Sequence, residues 1–381
     1  MKKILIVHNK YRNLGGEDIA VIQEIEVLKN YFEVETLYFE NKLDNLFLDM
    51  FTFLFKNNPN SNKILKNIIE EFKPDIVYVH NTWFKISLGI FKILDQENIK
   101  TIIKLHNFRY HCTKTQLIKN HIVVDKFCSA CGNQKKKMQY FNKYFKNSYL
   151  KSFTVNSFGK KYLSILNNEN RNVIVLTDFH HKFLKEKYYK SKNVFTVPNF
   201  IKVKNTISRI ESDYLVYAGR VSEEKGVEEL IQSFLSSDLN NIKLKIIGDG
   251  PSYKHLKRKY LSNRIEFLGE IPNDQVINII SNSRAAISAT KLYEGQPTLL
   301  SEASSLGVPS IFPDTGGIKE FLPDNYKLLF RQYDYKDLTK KINMTHDDKF
   351  LSIIGKEAFD HFSKNYNEEI FIKKFCDVIY G

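Results

Sequence analysis

The chain has 381 residues, of which 43% are hydrophobic and 26% charged, a composition typical of a soluble globular protein with room for two domains. No apolar run is long enough to cross a bilayer, and Met1–Val7 lacks the long apolar core of a signal peptide, so we expect a cytoplasmic protein. The formal net charge of +14 favours anionic partners such as nucleotides, nucleic acid or anionic lipid.

Lysine is the source of much of this charge. Lysines interleaved with Phe and Tyr, as in Met138–Phe153, suit contact with an anionic membrane surface. A solvated basic face explains the same pattern equally well, so both interpretations stay open.

Short apolar strands alternate with helices along the first half of the chain. The predicted strands are Lys3–Val7, Val34–Phe39, Asp75–His80, Thr101–His106, Val173–Leu176 and Val194–Val197. The predicted helices are Gly15–Tyr31, Leu43–Phe55, Ile64–Phe72, Phe84–Leu94, Met138–Tyr149 and Asp178–Tyr188. The long stretch Asn107–Gln134 is predicted to be irregular.

The second half repeats this alternation more tightly. The predicted strands are Tyr214–Ala218, Lys243–Ile247, Ile265–Leu268, Ala285–Ala289 and Pro309–Phe312. The predicted helices are Lys225–Leu235, Pro251–Leu261, Asp274–Ser281, Pro297–Leu306, Lys336–Asn343, Asp347–Lys364 and Glu368–Tyr380.

This alternation predicts an α/β protein with two Rossmann-like, doubly wound domains that face each other across a cleft. We place the first domain at residues 1–200 and the second at 201–360. A C-terminal helix within residues 361–381 is expected to pack back on the first domain. Ligands of such sheets bind beyond the carboxyl ends of the strands, where the motifs described next are found.

The stretch Tyr293–Pro313 holds the most informative pattern. Glu294-Gly295-Gln296-Pro297 makes a tight turn after an apolar strand, and Pro297 suits the first position of the helix that follows. A glycine-containing turn before a helix leaves free backbone N–H groups aimed at one point, with the positive end of the helix dipole behind them. Such a point suits a phosphate group.

Two carboxylates flank this turn. Glu294 lies just before the helix, and Glu302 lies inside it. Neither should contact a phosphate, since like charges repel, but each can accept hydrogen bonds from hydroxyl groups to either side of it. A molecule with hydroxyls on both sides of a diphosphate is a nucleotide-sugar. An ordinary α/β junction with two solvated glutamates is the alternative interpretation.

Four motifs follow one another in the second half: YAGRVSEEKGVEELIQSF (Tyr217–Phe234), IIGDGP (Ile246–Pro251), IEFLGEIPNDQV (Ile265–Val276) and EGQPTLLSEASSLGVPSI (Glu294–Ile311). In this order and spacing they resemble the retaining glycosyltransferases of the GT-B type, family four, also called glycosyl transferases group 1. The first half resembles a capsule or lipopolysaccharide-type subgroup through HNKYRNLGGED (His8–Asp18), PDIVYVHNTW (Pro74–Trp83) and LHNFRYHC (Leu105–Cys112). The resemblance covers nearly the whole chain and implies an acceptor-binding first domain and a donor-binding second domain.

The resemblance also assigns roles to charged residues of the second half. Arg220 and Lys225 are expected to hold the donor diphosphate and to stabilise the charge that grows on the leaving nucleotide, without a divalent metal. Glu302 is expected to bind the ribose hydroxyls. Glu294 is expected to contact hydroxyls of the transferred sugar and to take part in catalysis. Surface cations on a helix cap are the alternative interpretation of the first two residues.

The turn before the helix contacts the distal phosphate in the family. Here that role is expected for the backbone of Gly295, Gln296, Pro297 and Thr298, although Gln296 stands where the family often has Phe. Ile271 follows the FLGE turn and is expected to lie against the base.

In the first half, Gly15 and Gly16 form a second glycine turn at the start of a helix, which the family places under the diphosphate and close to the acceptor. A simple structural cap is the alternative. His106 ends a strand at the position where a family histidine approaches the reacting face of the sugar, so we expect it to be catalytic. A buried structural histidine is the alternative, and His80, which ends the preceding parallel strand, is a second candidate.

The cysteines leave one question open. Two residues separate Cys128 from Cys131, and Cys112 lies upstream, so three thiolates with one of His106, His111 or His121 could hold a structural zinc ion. A second ligand pair is missing, and free thiols are the alternative.

The resemblance implies a hexosyltransferase that moves a sugar from a UDP- or GDP-linked donor, with retention of anomeric configuration and no required cofactor. The acceptor is expected to be a polysaccharide or a lipid-linked oligosaccharide in cell-surface glycan synthesis. The enzyme would work in the cytoplasm, as a peripheral protein at the inner face of an anionic membrane. A sugar-nucleotide epimerase or phosphorylase on the same fold is the alternative. A basic nucleic-acid-binding protein ranks last, since no nucleic-acid-binding motif is present and no nucleic-acid partner is expected.

Overall fold

The structure, a computed structural model, describes residues 1–10, 15–40, 46–83, 85–108, 110, 149–187, 193–202 and 212–381. It divides into a first unit, residues 1–199 with 372–381, and a second unit, residues 200–371. Each unit is built around one six-stranded sheet, and every described pair of neighbouring strands is parallel. The predicted α/β class with two Rossmann-like domains is confirmed.

The sheet of the first unit has the strand order β2-β1-β3-β4-β5-β6. Its strands are β1 (Lys3–Lys10), β2 (Glu33–Glu40), β3 (Ile76–Asn81), β4 (Lys100–Leu105), β5 (Arg171–Val175) and β6 (Val194–Thr196). The apolar run Ile4–Val7 is fully buried in the middle of this sheet, as expected for a strand covered on both faces. The order of connection reverses between β1 and β3, and such a reversal opens a crevice at the carboxyl ends of the two strands.

Helices cover this sheet. The described helices are α1 (Gly16–Leu28), α2 (Leu46–Phe55), α3 (Pro59–Phe72), α4 (Ile90–Gln96), α5 (Tyr149–Leu166) and α6 (Asp178–Lys187). α3 begins five residues before its predicted start, because the Asn58 side chain accepts a hydrogen bond from the Asn60 N–H and Pro59 occupies the first turn.

One helix prediction in the first unit was wrong in extent. The helix predicted at Phe84–Leu94 begins only at Ile90, because Ser87 has a φ of +68° and residues 85–89 form turns. The predicted helix Met138–Tyr149 lies outside the described residues except at Tyr149, and there the unpredicted helix α5 begins.

The sheet of the second unit has the order β12-β11-β10-β7-β8-β9. Its strands are β7 (Tyr214–Ala218), β8 (Lys243–Ile247), β9 (Ile265–Gly269), β10 (Ala285–Ile287), β11 (Ser310–Asp314) and β12 (Leu329–Arg331). This is the doubly wound order of dinucleotide-binding folds, with its reversal between β7 and β10. The prediction missed β12, which is only three residues long and lies at the sheet edge.

The helices of the second unit follow the predicted alternation. They are α7 (Val227–Leu235), α8 (Tyr253–Lys259), α9 (Asn273–Ser281), α10 (Thr298–Ser305), α11 (Tyr335–Asn343) and α12 (Asp348–Asn365). The core between helices and sheet includes the fully buried Leu215, Val216, Ile246 and Leu300. Burial of each such side chain stabilises the fold by roughly 1.5–3 kcal/mol.

The last helix, α13 (Glu368–Tyr380), ends in the first unit. The Phe375 ring packs against the rings of Phe32 and Tyr78, with centroid distances of 6.2 and 5.0 Å. Lys100 Nζ donates to the Ile379 carbonyl at 2.7 Å and satisfies a carbonyl at the end of the helix. None of the described helices is both long and apolar enough to cross a membrane.

Candidate active site

Three loops of the second unit pack against one another at the carboxyl ends of β7, β8 and β10. A β-carbon on Gly226 would clash with the Ala289 carbonyl, and one on Gly248 would clash with the Gly219 carbonyl. Gly226 has a φ of +67°, a conformation that other residues adopt only with strain. The Val221 N–H donates to the Asp249 carbonyl at 2.9 Å and ties the first loop to the second. Backbone contacts therefore fix the geometry of this edge of the sheet.

An ion pair bridges β7 and β10 at the point where the strand order reverses. Lys225 Nζ, in the loop after β7, lies 2.6 Å from Glu294 Oε1, in the loop after β10. Thr290 Oγ1 donates to the same carboxylate oxygen at 2.9 Å. Both ends of the pair keep some solvent contact, with 29% of the Lys225 side chain and 18% of the Glu294 side chain exposed. Lys225 and Glu294 are thus in direct contact. The resemblance assigns Lys225 to the diphosphate and Glu294 to the adjoining sugar of the donor.

The helix that follows this loop offers free backbone donors. α10 begins at Thr298, one residue later than predicted, and Pro297 is its N-cap. Proline has no side chain that could accept from the first N–H groups, and no side-chain cap is present. The N–H groups of the first turn are therefore left for another acceptor. Gln296 points back along the helix, where its Nε2 donates to Ser301 Oγ at 3.3 Å.

Glu302 lies inside α10 and is 8% exposed. Burial raises the pKa of its carboxyl from 4.5 to about 7, and among the described residues no cation offsets this effect. At neutral pH the group is therefore about half ionised, and it can both accept and donate a hydrogen bond.

Arg220 and Ile271 lie on the other loops of this edge. Most of the Arg220 side chain is exposed, and its Nη1 lies 3.9 Å from Glu224 Oε1. Its carbonyl accepts from the Tyr217 hydroxyl at 2.8 Å, which holds the backbone while leaving the guanidinium free to move. Ile271 follows β9 and packs its partly buried side chain on the core of this unit. Gly295 is buried in the turn before α10.

In the first unit, the second glycine turn is closed by an acidic side chain. Gly15 is the N-cap of α1, and its N–H donates to Asp18 Oδ2 at 2.8 Å. The other oxygen of Asp18 lies 2.8 Å from His8 Nε2, at the carboxyl end of β1. Gly16 begins the helix. The Gly15 N–H already has a partner, so any anion at this turn would use the N–H groups that follow it.

His106 follows β4 and meets His80 at the end of β3. His106 Nε2 lies 3.0 Å from His80 Nδ1, so one ring donates to the other. Burial, followed by the nearby charge of Lys104, lowers the pKa of His106 well below 6.5. Burial, followed by His106, lowers the pKa of His80 in the same direction. Both rings are neutral at pH 7, and the two histidine candidates act as one pair.

A buried charged cluster that the sequence analysis missed lies beneath this pair. Lys104 Nζ makes a very short contact with Glu24 Oε1, and both side chains are almost fully buried. The Tyr78 hydroxyl donates to Glu24 Oε2 at 2.9 Å, and His80 Nε2 lies 3.8 Å from the same oxygen. The signal in the sequence was Lys104 itself, a charged residue within the apolar strand TIIKLH.

A cavity of about 20 Å³, roughly the size of one water molecule, adjoins His106. Its walls include His80, Trp83, Lys104 and Phe158. The first unit thus places a neutral histidine beside a small polar space, at the same sheet edge as the glycine turn.

The possible zinc ligands Cys112, Cys128 and Cys131 lie outside the described residues, as do His111 and His121. Within the described ranges no group of three or more His, Cys, Asp or Glu side chains could hold a metal ion.

Comparison with known proteins finds a family model that is similar to most of the second unit. Residues 199–365 match the sequence model of the family described as Glycosyl transferases group 1. The matched region contains Arg220, Lys225, Glu294 and Glu302 and covers less than half of the chain. It supports the resemblance drawn from the sequence motifs.

Curated relatives extend the similarity into the first half. An uncharacterized glycosyltransferase, MJ1059 of Methanocaldococcus jannaschii, is 28% identical over 280 residues, 68% of this chain and 60% of the relative. The amylovoran biosynthesis glycosyltransferase AmsD of Erwinia amylovora is 26% identical over 54% of this chain and 61% of its own length. The chain therefore spans about three fifths of the length of these relatives.

Solved structures agree on the fold. Anabaena HepE in complex with UDP-glucose matches with a TM-score of 0.69 at 14% identity, covering 100% of this chain and 99% of that chain. At this identity the likeness shows the fold alone. The neighbours that share it are GT-B glycosyltransferases.

Proposed function

We propose that this chain is a retaining glycosyltransferase that moves a sugar from a nucleotide-sugar to a glycan acceptor. The observation that carries the proposal is the Lys225–Glu294 pair at the strand-order reversal, beside the uncapped start of α10. A cation, a carboxylate that can accept from hydroxyls, and unpaired N–H groups meet there. A diphosphate followed by a sugar needs these three groups.

Each part of the donor has a matching group in the second unit. Arg220 and Lys225 contact the diphosphate, together with the backbone N–H groups at the start of α10. Glu302 accepts from the ribose hydroxyls, and Ile271 lies against the base. Glu294 turns from Lys225 to hydroxyls of the transferred sugar when the donor binds.

The reaction breaks the bond between the anomeric carbon and the leaving phosphate oxygen. The acceptor oxygen forms its new bond on the same face of the sugar, and the leaving phosphate oxygen takes the acceptor proton. Lys225 and Arg220 stabilise the negative charge that accumulates on the departing diphosphate. This route needs no protein nucleophile.

The first unit supplies the groups that act near the sugar. His106, held neutral in its pair with His80, exchanges a hydrogen bond with a sugar hydroxyl on a ring carbon near the reacting one. Its charged form is disfavoured, so it orients the sugar without adding positive charge beside an oxocarbenium-like centre. Gly15 and Gly16 allow the backbone to approach the donor closely.

The acceptor class follows from the relatives only by analogy. A relative that takes part in amylovoran biosynthesis supports a polysaccharide acceptor, and a lipid-linked oligosaccharide would place the reaction at the membrane. Exposed apolar side chains on α2 and α5 support a peripheral membrane contact: Phe51, Phe55, Leu150 and Phe153. Cosedimentation with phosphatidylglycerol vesicles should fall in a Phe51→Ser/Phe153→Ser variant; equal cosedimentation of the variant and the wild type would count against the contact.

The experiment that tests the function is a panel of nucleotide-sugars scored by protection from thermal unfolding. A donor at 100 times its Kd stabilises the folded state by about 2.7 kcal/mol and raises the melting temperature. The control is Lys225→Ala, in which protection by the same donor should be much smaller. Absence of protection by every UDP- and GDP-sugar in the panel would contradict the proposal.

A further inference from the structure

A large groove in the first unit lies apart from the candidate active site. Its volume is about 990 Å³, and it is bounded by α3, α4 and α5. α4 has only seven residues, so it leaves open space between its two longer neighbours. None of the residues around the His106 cavity lines this groove.

Lysine is the most frequent charged residue on the walls of this groove, which we call the lysine groove. These lysines are Lys56, Lys63, Lys66, Lys92 and Lys161. Among the described residues none of these five ammonium groups has an ion-pair partner within 4 Å. Burial, and then the nearby Lys161, lowers the pKa of Lys56. Like charges are thus held together at an energetic cost that a bound anion would relieve.

The acidic residues of the lysine groove do not balance this charge. Within the described part of the chain, the groove is lined by only two carboxylates, Glu70 and Asp95. Arg171 Nη2 already binds both oxygens of Asp95, at 2.6 and 2.7 Å. Among the described lining residues, positive charge therefore exceeds negative charge.

Neutral hydrogen-bonding groups lie between the lysines. Five carboxamide side chains line the groove: Asn57, Asn62, Asn67, Gln96 and Asn168. Carboxamides both donate to and accept from hydroxyls. The ring of Phe55, 59% exposed at the groove, offers an apolar face. A ligand that uses all of these groups carries negative charges, hydroxyls and flat apolar faces.

We propose that the lysine groove binds an acidic glycan, a polysaccharide segment with carboxylate or phosphate groups along its length. The inference that this segment is part of the acceptor rests on the proposed function, whereas binding of the polyanion does not. α5 links the two places, because Phe158 and Tyr162 line the His106 cavity while Lys161 and Ser164 line the groove. From Phe158 to Ser164 the helix rises about 9 Å. The groove and the His106 cavity thus border the same helix within about two turns of each other.

The concave shape argues against the other polyanions. A bilayer presents a flat surface, and the headgroups cannot fill a groove of about 990 Å³ with lysines on α3, α4 and α5 and Lys56 just after α2. Single-stranded nucleic acid is held by stacking of successive bases on aromatic side chains, and Phe55 is the only exposed ring on the described walls.

The test is binding of a fluorescein-labelled oligogalacturonate to the whole chain, measured by fluorescence anisotropy at low and high salt. The groove variant is Lys63→Gln/Lys66→Gln/Lys92→Gln. The matched control, Lys29→Gln/Lys182→Gln/Lys373→Gln, removes the same charge from exposed positions of the first unit outside the groove.

We expect the groove variant to bind about tenfold more weakly or worse, since three partial ion pairs are lost together. The control should stay within about twofold of wild type, and raised salt should weaken wild-type binding. An uncharged dextran oligosaccharide of equal length should bind far more weakly than the oligogalacturonate.

Three results would overturn the inference. One is equal weakening in both variants, which would reduce the effect to net charge. The second is wild-type binding to dextran as tight as to oligogalacturonate. The third is a preference for phosphatidylglycerol vesicles or single-stranded DNA that the groove variant abolishes, with oligogalacturonate unbound. No nucleotide-sugar enters this assay, so its failure is separate from failure of the thermal panel.

Discussion

The carboxyl of Glu302 gives the most direct test of the site, because its pKa is raised by burial from 4.5 to about 7. Between these values the unfolded chain has released the proton while the folded chain still holds it, so stability falls as pH rises through this window. Each pH unit of the difference is worth about 1.4 kcal/mol, so the loss across the window is about 3 kcal/mol. Glu302→Gln has no such proton and should escape the loss.

The assay is urea unfolding of the wild type and the variant at pH 5 and pH 8. His80 and His106 act in the opposite direction, because imidazoles with lowered pKa values add stability as pH rises through the acid range. Both proteins contain these histidines, so the difference between the two proteins isolates Glu302. We expect the variant to gain about 2.5 kcal/mol relative to wild type between pH 5 and pH 8.

The exposed Glu266→Gln serves as the matched control and should show no such change with pH. If the difference between Glu302→Gln and wild type is the same at both pH values, the burial of this carboxyl does not have the stated consequence, and the reasoning is refuted.

The same carboxyl should make donor binding depend on pH. If ribose hydroxyls donate to the ionised carboxylate, only molecules with ionised Glu302 bind the donor. At pH 6 about a tenth of the Glu302 carboxyls are ionised. The nucleotide-sugar selected by the thermal panel should therefore bind about tenfold more weakly at pH 6 than at pH 8. Its diphosphate is esterified at both ends and does not titrate in this range. In Glu302→Gln the affinity should be lower and independent of pH; a sloping profile there would point to another group.

Three other variants probe the remaining features. Glu294→Ala should abolish sugar transfer in a radiometric assay yet leave nucleotide binding largely intact, because Lys225 remains; wild-type turnover would count against its role. Lys104→Met should lower the free energy of unfolding by about 3–5 kcal/mol by leaving Glu24 buried and unpaired, and Lys104→Met/Glu24→Gln should recover part of this. Gly226→Ala should lower the melting temperature through a loss of about 2 kcal/mol or more, since φ is +67° and the new methyl meets a carbonyl; unchanged melting would contradict the clash.

Local patterns in the sequence were enough to predict most strands and helices of the second unit. The runs at β7 and β8 are short and apolar, and the proline and glycine around α10 mark its limits, so strand and helix follow from nearest neighbours in the chain. The same signals failed at α5. Its sequence includes Thr154, Val155, Ser157 and Gly159, none of them a strong helix former, and its apolar side chains are instead used in tertiary packing.

The side-chain contacts at the candidate site could not be predicted, because the partners are far apart in the sequence. The resemblance placed Lys225 and Glu294 in one site. Their direct contact could not be predicted, because they are 69 residues apart in sequence and come together only because β7 and β10 are neighbouring strands. Lys104 and Glu24 are separated by 80 residues, and no local pattern pairs them. A lysine in an apolar strand indicates that a buried acidic partner exists. Only the three-dimensional structure shows that this partner is Glu24.

The glycine contacts between the loops after β7, β8 and β10 have a consequence for changing the substrate. The contacts between these loops are made by backbone atoms, so the arrangement of the loops does not depend on the surrounding side chains. A mutant library aimed at new donors can therefore randomise the rim positions Ile271 and Gln296 with little risk of collapse, while Arg220 is kept for the diphosphate. Insertions into these loops would separate the contacts and should be avoided.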